Sequence, residues 1–118
     1  MLRKKYRLTR TKDFQRTVRE GQCYSNQMAV LCKHPNGLPH SRFGFSVSRR
    51  LGKAVVRNRI KRLLREVIRL HLDLVAPGWD IVIIARKSIV GANYWTVEQA
   101  VTELLSRAQL FVAEKESA

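Results

Sequence analysis

The stretch Phe43–Arg69, FGFSVSRRLGKAVVRNRIKRLLREVIR, decides the fold. From Arg42 to Ser48 it alternates, with Phe43, Phe45 and Val47 on one side and Gly44, Ser46 and Ser48 on the other. That period of two predicts a half-buried strand. Further on, Ile60, Leu63, Leu64, Val67 and Ile68 recur at the spacing of a helix with one buried face. At about 100° per residue, Asn58, Lys61, Arg62, Arg65 and Arg69 fall on the opposite arc, flanked by Arg57 and Arg59. Nine Lys or Arg residues lie between Arg49 and Arg69, against one carboxylate, Glu66. A solvated helix face usually mixes both signs at i,i+4 spacing. Cations this dense repel one another, so their natural counterpart is a polyanion.

Working outward, the 118 residues suffice for one domain with a sizeable core. An apolar fraction of 45% excludes a disordered basic tail. The formal net charge of +14, from 23 basic and nine acidic residues, favours a phosphate-rich partner. The basic helix carries no Trp or Phe on its apolar face, which makes a membrane surface the weaker partner. No apolar run follows the basic start, so no signal peptide is expected, and Ile81–Ala85 is too short to span a bilayer. Cys23 and Cys32 form no CxxC arrangement, so free thiols in a reducing cytoplasm are expected.

Taken in order, residues 1–10 form a basic arm anchored by Tyr6 and Leu8. Thr11 caps a short helix that Gly21 stops, with Phe14 and Val18 on one face and Thr17 beside them. Gln22 to Lys33 reads as one strand covered on both faces. Pro35, Asn36-Gly37 and Pro39 then mark a turn joining it to Arg42–Ser48 as a hairpin. After the basic helix, which runs to about Leu74, Asp80–Arg86 (DIVIIAR) has the continuous β-branched character of a central strand. Thr96 with Gln99 makes a capping box for a closing amphipathic helix, and 115–118 form a frayed tail. The order helix, strands, helix, strand, helix predicts a single-domain α+β sandwich. A crossover through the basic helix lets the strands on either side of it run parallel.

The chemistry is that of binding. Arg57, Arg59, Arg62 and Arg65 carry planar forks suited to phosphate, and Asn58 can both donate and accept. Phe14 above Ser46 and Ser48 would make a groove for an extended single strand, although for Phe14 alone packing in the core is the favoured reading. Arg86-Lys87 either extends the basic surface or is simply solvated. The nine acids are dispersed, and His34, His40 and His71 fit no trusted zinc spacing, so no metal site and no catalytic side chain are expected.

The run Phe43 to Arg62, with Arg57-Asn58-Arg59 at its heart, resembles the signature of the bacterial ribonuclease P protein family. Asp13-Phe14 leading to Gly21, and Asp80–Arg86 followed by a terminal helix, extend the likeness over nearly the whole chain. The resemblance implies a fold similar to a ribosomal small-subunit protein domain, with the basic helix in a left-handed crossover. It also implies a non-catalytic subunit of a ribozyme that uses Mg2+ to cleave the 5′ leader from precursor tRNA. The partners would be the catalytic RNA and precursor tRNA, in the cytoplasm, with no membrane and no obligate protein partner. Arg57, Asn58, Arg59, Lys61, Arg62 and Arg65 would face the RNA, and Arg49, Arg50, Lys53 and Arg69 extend that surface. Phe14, Val18, Cys32, Ser46 and Ser48 would line the leader cleft. Val18 stands where a second aromatic is often found and Cys32 where some members carry a Tyr, and neither offers a ring face to a base. A ribosomal or chaperone-like RNA-binding protein is the alternative; a self-sufficient nuclease has little support.

Overall fold

The computed structural model describes residues 2–112, so the tail expected at 115–118 lies outside the described residues. The elements are α1 (Thr11–Glu20), β1 (Gln22–Ser25), β2 (Ala29–Pro35), β3 (Arg42–Ser46), α2 (Ala54–His71), β4 (Trp79–Ala85) and α3 (Tyr94–Arg107). The four strands form one sheet in the order β1-β2-β4-β3. β4 runs antiparallel to β2 and parallel to β3, the parallel pair that the α2 crossover permits. The α+β sandwich expected from the element order is therefore the fold.

The register explains the layers. Leu31, Ile81, Ile83 and Phe43 share one face, where they pack with Ile60, Leu64, Val67 and Ile68 of α2 and Val97, Val101 and Leu104 of α3. At roughly 1.5–3 kcal/mol per buried aliphatic or aromatic side chain, this two-helix layer is the main apolar support of the fold. The opposite face is covered by α1, with Leu8 of the arm beside it near Gly44. Buried Lys33 belongs to the core side, where its Nζ donates to the carbonyl of Ala108 just beyond α3 at 2.6 Å and lies 4.4 Å from the Trp79 ring centroid. Burial lowers the affinity of that amine for its proton.

Several local expectations are corrected. Residues 22–33 are two strands, because the Asn26 side chain accepts from the Met28 and Ala29 amides at 3.0 Å each and turns the chain. β2 and β3 do not form a hairpin: β4 lies between them, since its apolar run needs a neighbour on each edge and cover on both faces. Thr11 is the first residue of α1 rather than its cap; Arg10 holds that place without a side-chain bond. Thr96 sits within the first turn of α3, whose cap is Asn93, accepting from the Thr96 amide at 2.9 Å. α2 ends at His71 and passes into a single 3-10 turn, Leu72–Leu74.

Cys23 and Cys32 are joined by a disulfide in place of the expected free thiols. They are direct partners across the β1–β2 pair, so the hairpin missed in the sequence is what brings them together. In the arm, Leu8 is buried and donates its amide to the Phe43 carbonyl at 2.8 Å, along the outer edge of β3. Leu2 is also buried, and Tyr6 stands edge-on to His40.

Candidate nucleic-acid interface

Two surfaces carry the residues singled out in the sequence. The first is the outer face of α2. Gly52, at φ 145°, makes the bend that a side chain would resist, and the helix then starts at Ala54. Arg57 Nε donates to the Gly52 carbonyl at 3.2 Å, bracing that bend. Arg59 Nη2 donates to the Ala92 carbonyl at 3.2 Å, tying α2 to the loop before α3. Asn58 and Arg62 are exposed, and Lys61 and Arg65 half-buried; Lys61, Arg62 and Arg65 have no acidic partner among the described residues. Arg49, Arg50 and Lys53 stand exposed on the approach to the helix.

Arg69 differs from the rest. Its fork grips Glu66 through Nε–Oε1 at 3.1 Å and Nη2–Oε2 at 2.6 Å. The hydrogen bond from Arg69 holds the Glu66 carboxyl below its ordinary range. The one acid of α2 is thus already paired at the C-terminal end, leaving the first three turns uncompensated. Arg69 is the member of the predicted set least free to meet a phosphate.

The second surface is the sheet face beneath α1. Cys23, Cys32, Val82 and Gly44 form one row across the four strands, and Ser25, Val30, Ile84 and Ser46 form the next. α1 covers the first of these rows. A Cβ on Gly44 would lie 2.6 Å from the Phe14 ring, so only glycine lets that ring settle on β3. Cys32, Val82 and Gly44 are buried in consequence, while Val30, Ile84 and Ser46 remain half-buried beside the helix. The result is an open shelf bounded by α1, with half-buried Phe14 and exposed Val18 at its wall.

Of the five residues predicted for this cleft, Phe14, Val18 and Ser46 border the shelf. Cys32 lies under α1, bonded to Cys23. Ser48 lies beyond the end of β3, and its Oγ accepts from the Arg50 amide at 3.2 Å, so it caps the 3-10 turn Arg49–Leu51 instead of continuing the row. Arg86 is spent on structure too, donating to the Asn26 carbonyl at 3.2 Å.

Sequence reasoning missed the ion network that seats α1. Arg42 binds Asp80 with Nε–Oδ1 at 2.9 Å and Nη2–Oδ2 at 2.8 Å, and reaches Asp13 of α1 at 3.5 Å. Asn36 adds a donor to Asp80 at 3.0 Å. Arg42 and Asp80 are register partners, a relation visible only once β3 and β4 are known to pair. Among the described residues, no group of three or more His, Cys, Asp or Glu side chains is placed to hold a metal ion. No helix there is long and apolar enough to cross a membrane.

The family model for ribonuclease P matches residues 2–109. The chain belongs to the ribonuclease P protein family. The ribonuclease P protein component of Caldanaerobacter subterraneus is 40% identical over 116 residues, covering 98% of this chain and 99% of that relative. The ribonuclease P protein of Staphylococcus aureus superposes with a TM-score of 0.84 at 33% identity, covering 91% of this chain and 98% of the other. That of Thermotoga maritima gives 0.80 at 36%, over 86% and 96%. The chain is accordingly the protein subunit of the ribonuclease P endoribonuclease, a tRNA-processing ribonucleoprotein whose partner is an RNA subunit. Membership sets aside the ribosomal or chaperone-like alternative.

Proposed function

We propose that α2 docks on the catalytic RNA and that the shelf beneath α1 holds the 5′ leader of precursor tRNA, with cleavage left to the RNA and its Mg2+ ions. The observation that carries this reading is the uncompensated cationic face of α2, whose single acid is already taken by Arg69. Positive charge set between two polyanions lowers their mutual repulsion and releases condensed counterions. Extended leader backbone fits the open row Val30–Ile84–Ser46, where the Ser46 hydroxyl can bond a phosphate or base edge. The exposed part of the Phe14 ring offers a surface to a base. Both effects act on binding, so the subunit raises affinity and supplies no reacting group.

This function places the chain in the cytoplasm. Reducing conditions there would leave Cys23 and Cys32 as facing thiols. The sheet does not depend on their bond, because β2 is held along seven residues by β4. A cleavage assay on precursor tRNA at low magnesium, with RNA alone, protein alone and both together, tests the reading. Product is expected chiefly with both. Leader removal by the protein alone, or a cognate RNA indifferent to the protein, would contradict it.

A further inference from the structure

α3 opens with two adjacent aromatic residues of opposite exposure. Tyr94 is half-buried, whereas Trp95 leaves 70% of its surface in solvent. One exposed apolar side chain is ordinary on a protein surface. Here its position is what matters, because two contacts set the start of α3, and Trp95 with it, against α2. Arg59 bonds the Ala92 carbonyl three residues before it. On α3, Glu98 turns toward α2 and meets His71 at 3.3 Å, whereas Glu103 turns the other way, toward Asn26. At 100° per residue Trp95 projects on the Glu98 side of the helix, just outward of it. Finally, the Tyr94 ring meets the indole edge-to-face at 5.1 Å and 84°, which steadies it and leaves at least one indole face free.

On α2, Arg59, which reaches Ala92, and Arg62 stand nearly one turn apart and flank a groove completed by Leu63 and Glu66. A strand whose phosphates sit on those two guanidinium groups would bring its bases within reach of α3. We propose that Trp95 is a stacking platform for one unpaired nucleobase of the RNA held by α2, a site additional to the arginine face and the sheet shelf. It rests on the reading of α2 as an RNA-binding face. Stacking on an indole needs only the flat face of a base, so the site tolerates any base and needs no hydrogen-bond readout.

The test compares Trp95→Ala and Trp95→Phe in the full-length protein. Affinity is measured across a salt series for a transcript of the catalytic RNA, and for precursor tRNA binding to the assembled holoenzyme. Trp95→Ala is expected to weaken the first of these by about 5- to 100-fold, with the slope of log affinity against log salt unchanged, because no charge is removed. Trp95→Phe keeps a ring and should stay within about threefold of wild type. Weakening in the transcript arm is the predicted result; weakening only in the holoenzyme arm would place the base in the substrate and overturn its assignment to the RNA held by α2. Trp95→Ala within twofold of wild type in both arms, or Trp95→Phe as weak as Trp95→Ala, would overturn the platform. Arg62→Ala with Arg65→Ala serves as the parallel control. A slope unchanged by that pair would mean that the RNA face itself is misassigned. A slope that falls while Trp95→Ala binds normally would remove only the stack.

Discussion

The arginine face of α2 and the shelf beneath α1 are both fitted to nucleic acid, and they are made in different ways. The first is one helix: its charges follow from period and composition, and their effect reaches across several ångströms of water. The second needs three strands in register, a glycine under a ring and an ion network to seat α1. Coulomb attraction tolerates loose geometry and is screened by salt. Contact with an extended strand tolerates neither a slipped register nor a displaced helix. Affinity on the α2 face should therefore depend on ionic strength, and affinity on the shelf on packing.

The contrast can be broken most forcefully at Arg42. Arg42→Met leaves the buried Asp80 carboxylate with Asn36 as its remaining side-chain donor and should cost about 3 kcal/mol, measured by urea unfolding. The α2 charges would be untouched, so the salt slope for RNA binding by the folded fraction should stay at the wild-type value. Gly44→Ala is expected to cost about 1–3 kcal/mol by forcing the Phe14 ring off β3. In the holoenzyme it should weaken precursor tRNA more than mature tRNA. Arg62→Ala with Arg65→Ala should scarcely change stability. That pair should lower the salt slope by roughly 0.7–0.9 for each phosphate that is no longer neutralised.

The smallest effect concerns Lys33. Burial lowers its pKa from the ordinary 10.5, so between the folded and the ordinary value the unfolded chain binds more protons than the folded one. The cost of burying the charge is complete at neutral pH and is relieved as pH rises through the depressed pKa. The difference in urea midpoint between wild type and Lys33→Met should move in favour of wild type between pH 7 and pH 10.

How much of this was readable in one dimension follows the same division. The arginine arc, the strand at Phe43 and the central character of Asp80–Arg86 came directly from periodicity, because each is a property of one segment. The Asn26 turn had a local signal, an Asx residue between two strand-like runs, but the alternation on either side of it reads continuously as one strand. The insertion of β4 between β2 and β3 had no such signal. The turn residues at Asn36-Gly37 show that the chain bends there, not which strand it then lies beside. Everything that depended on that insertion stayed hidden with it, including the Arg42–Asp80 pair and the row Val30–Ile84–Ser46. Phe14 could be placed on a helix face from sequence, but only the pairing of β3 with β4 shows that it rests on Gly44 at the wall of an open shelf.

The most direct test of two surfaces with separate tasks is the affinity of the holoenzyme containing Phe14→Ala for precursor and for mature tRNA, measured side by side at one salt concentration. Precursor binding should weaken while mature tRNA binds as before, because only the precursor carries a leader across the shelf. Equal weakening of both would contradict the division and return Phe14 to the packing of α1 alone.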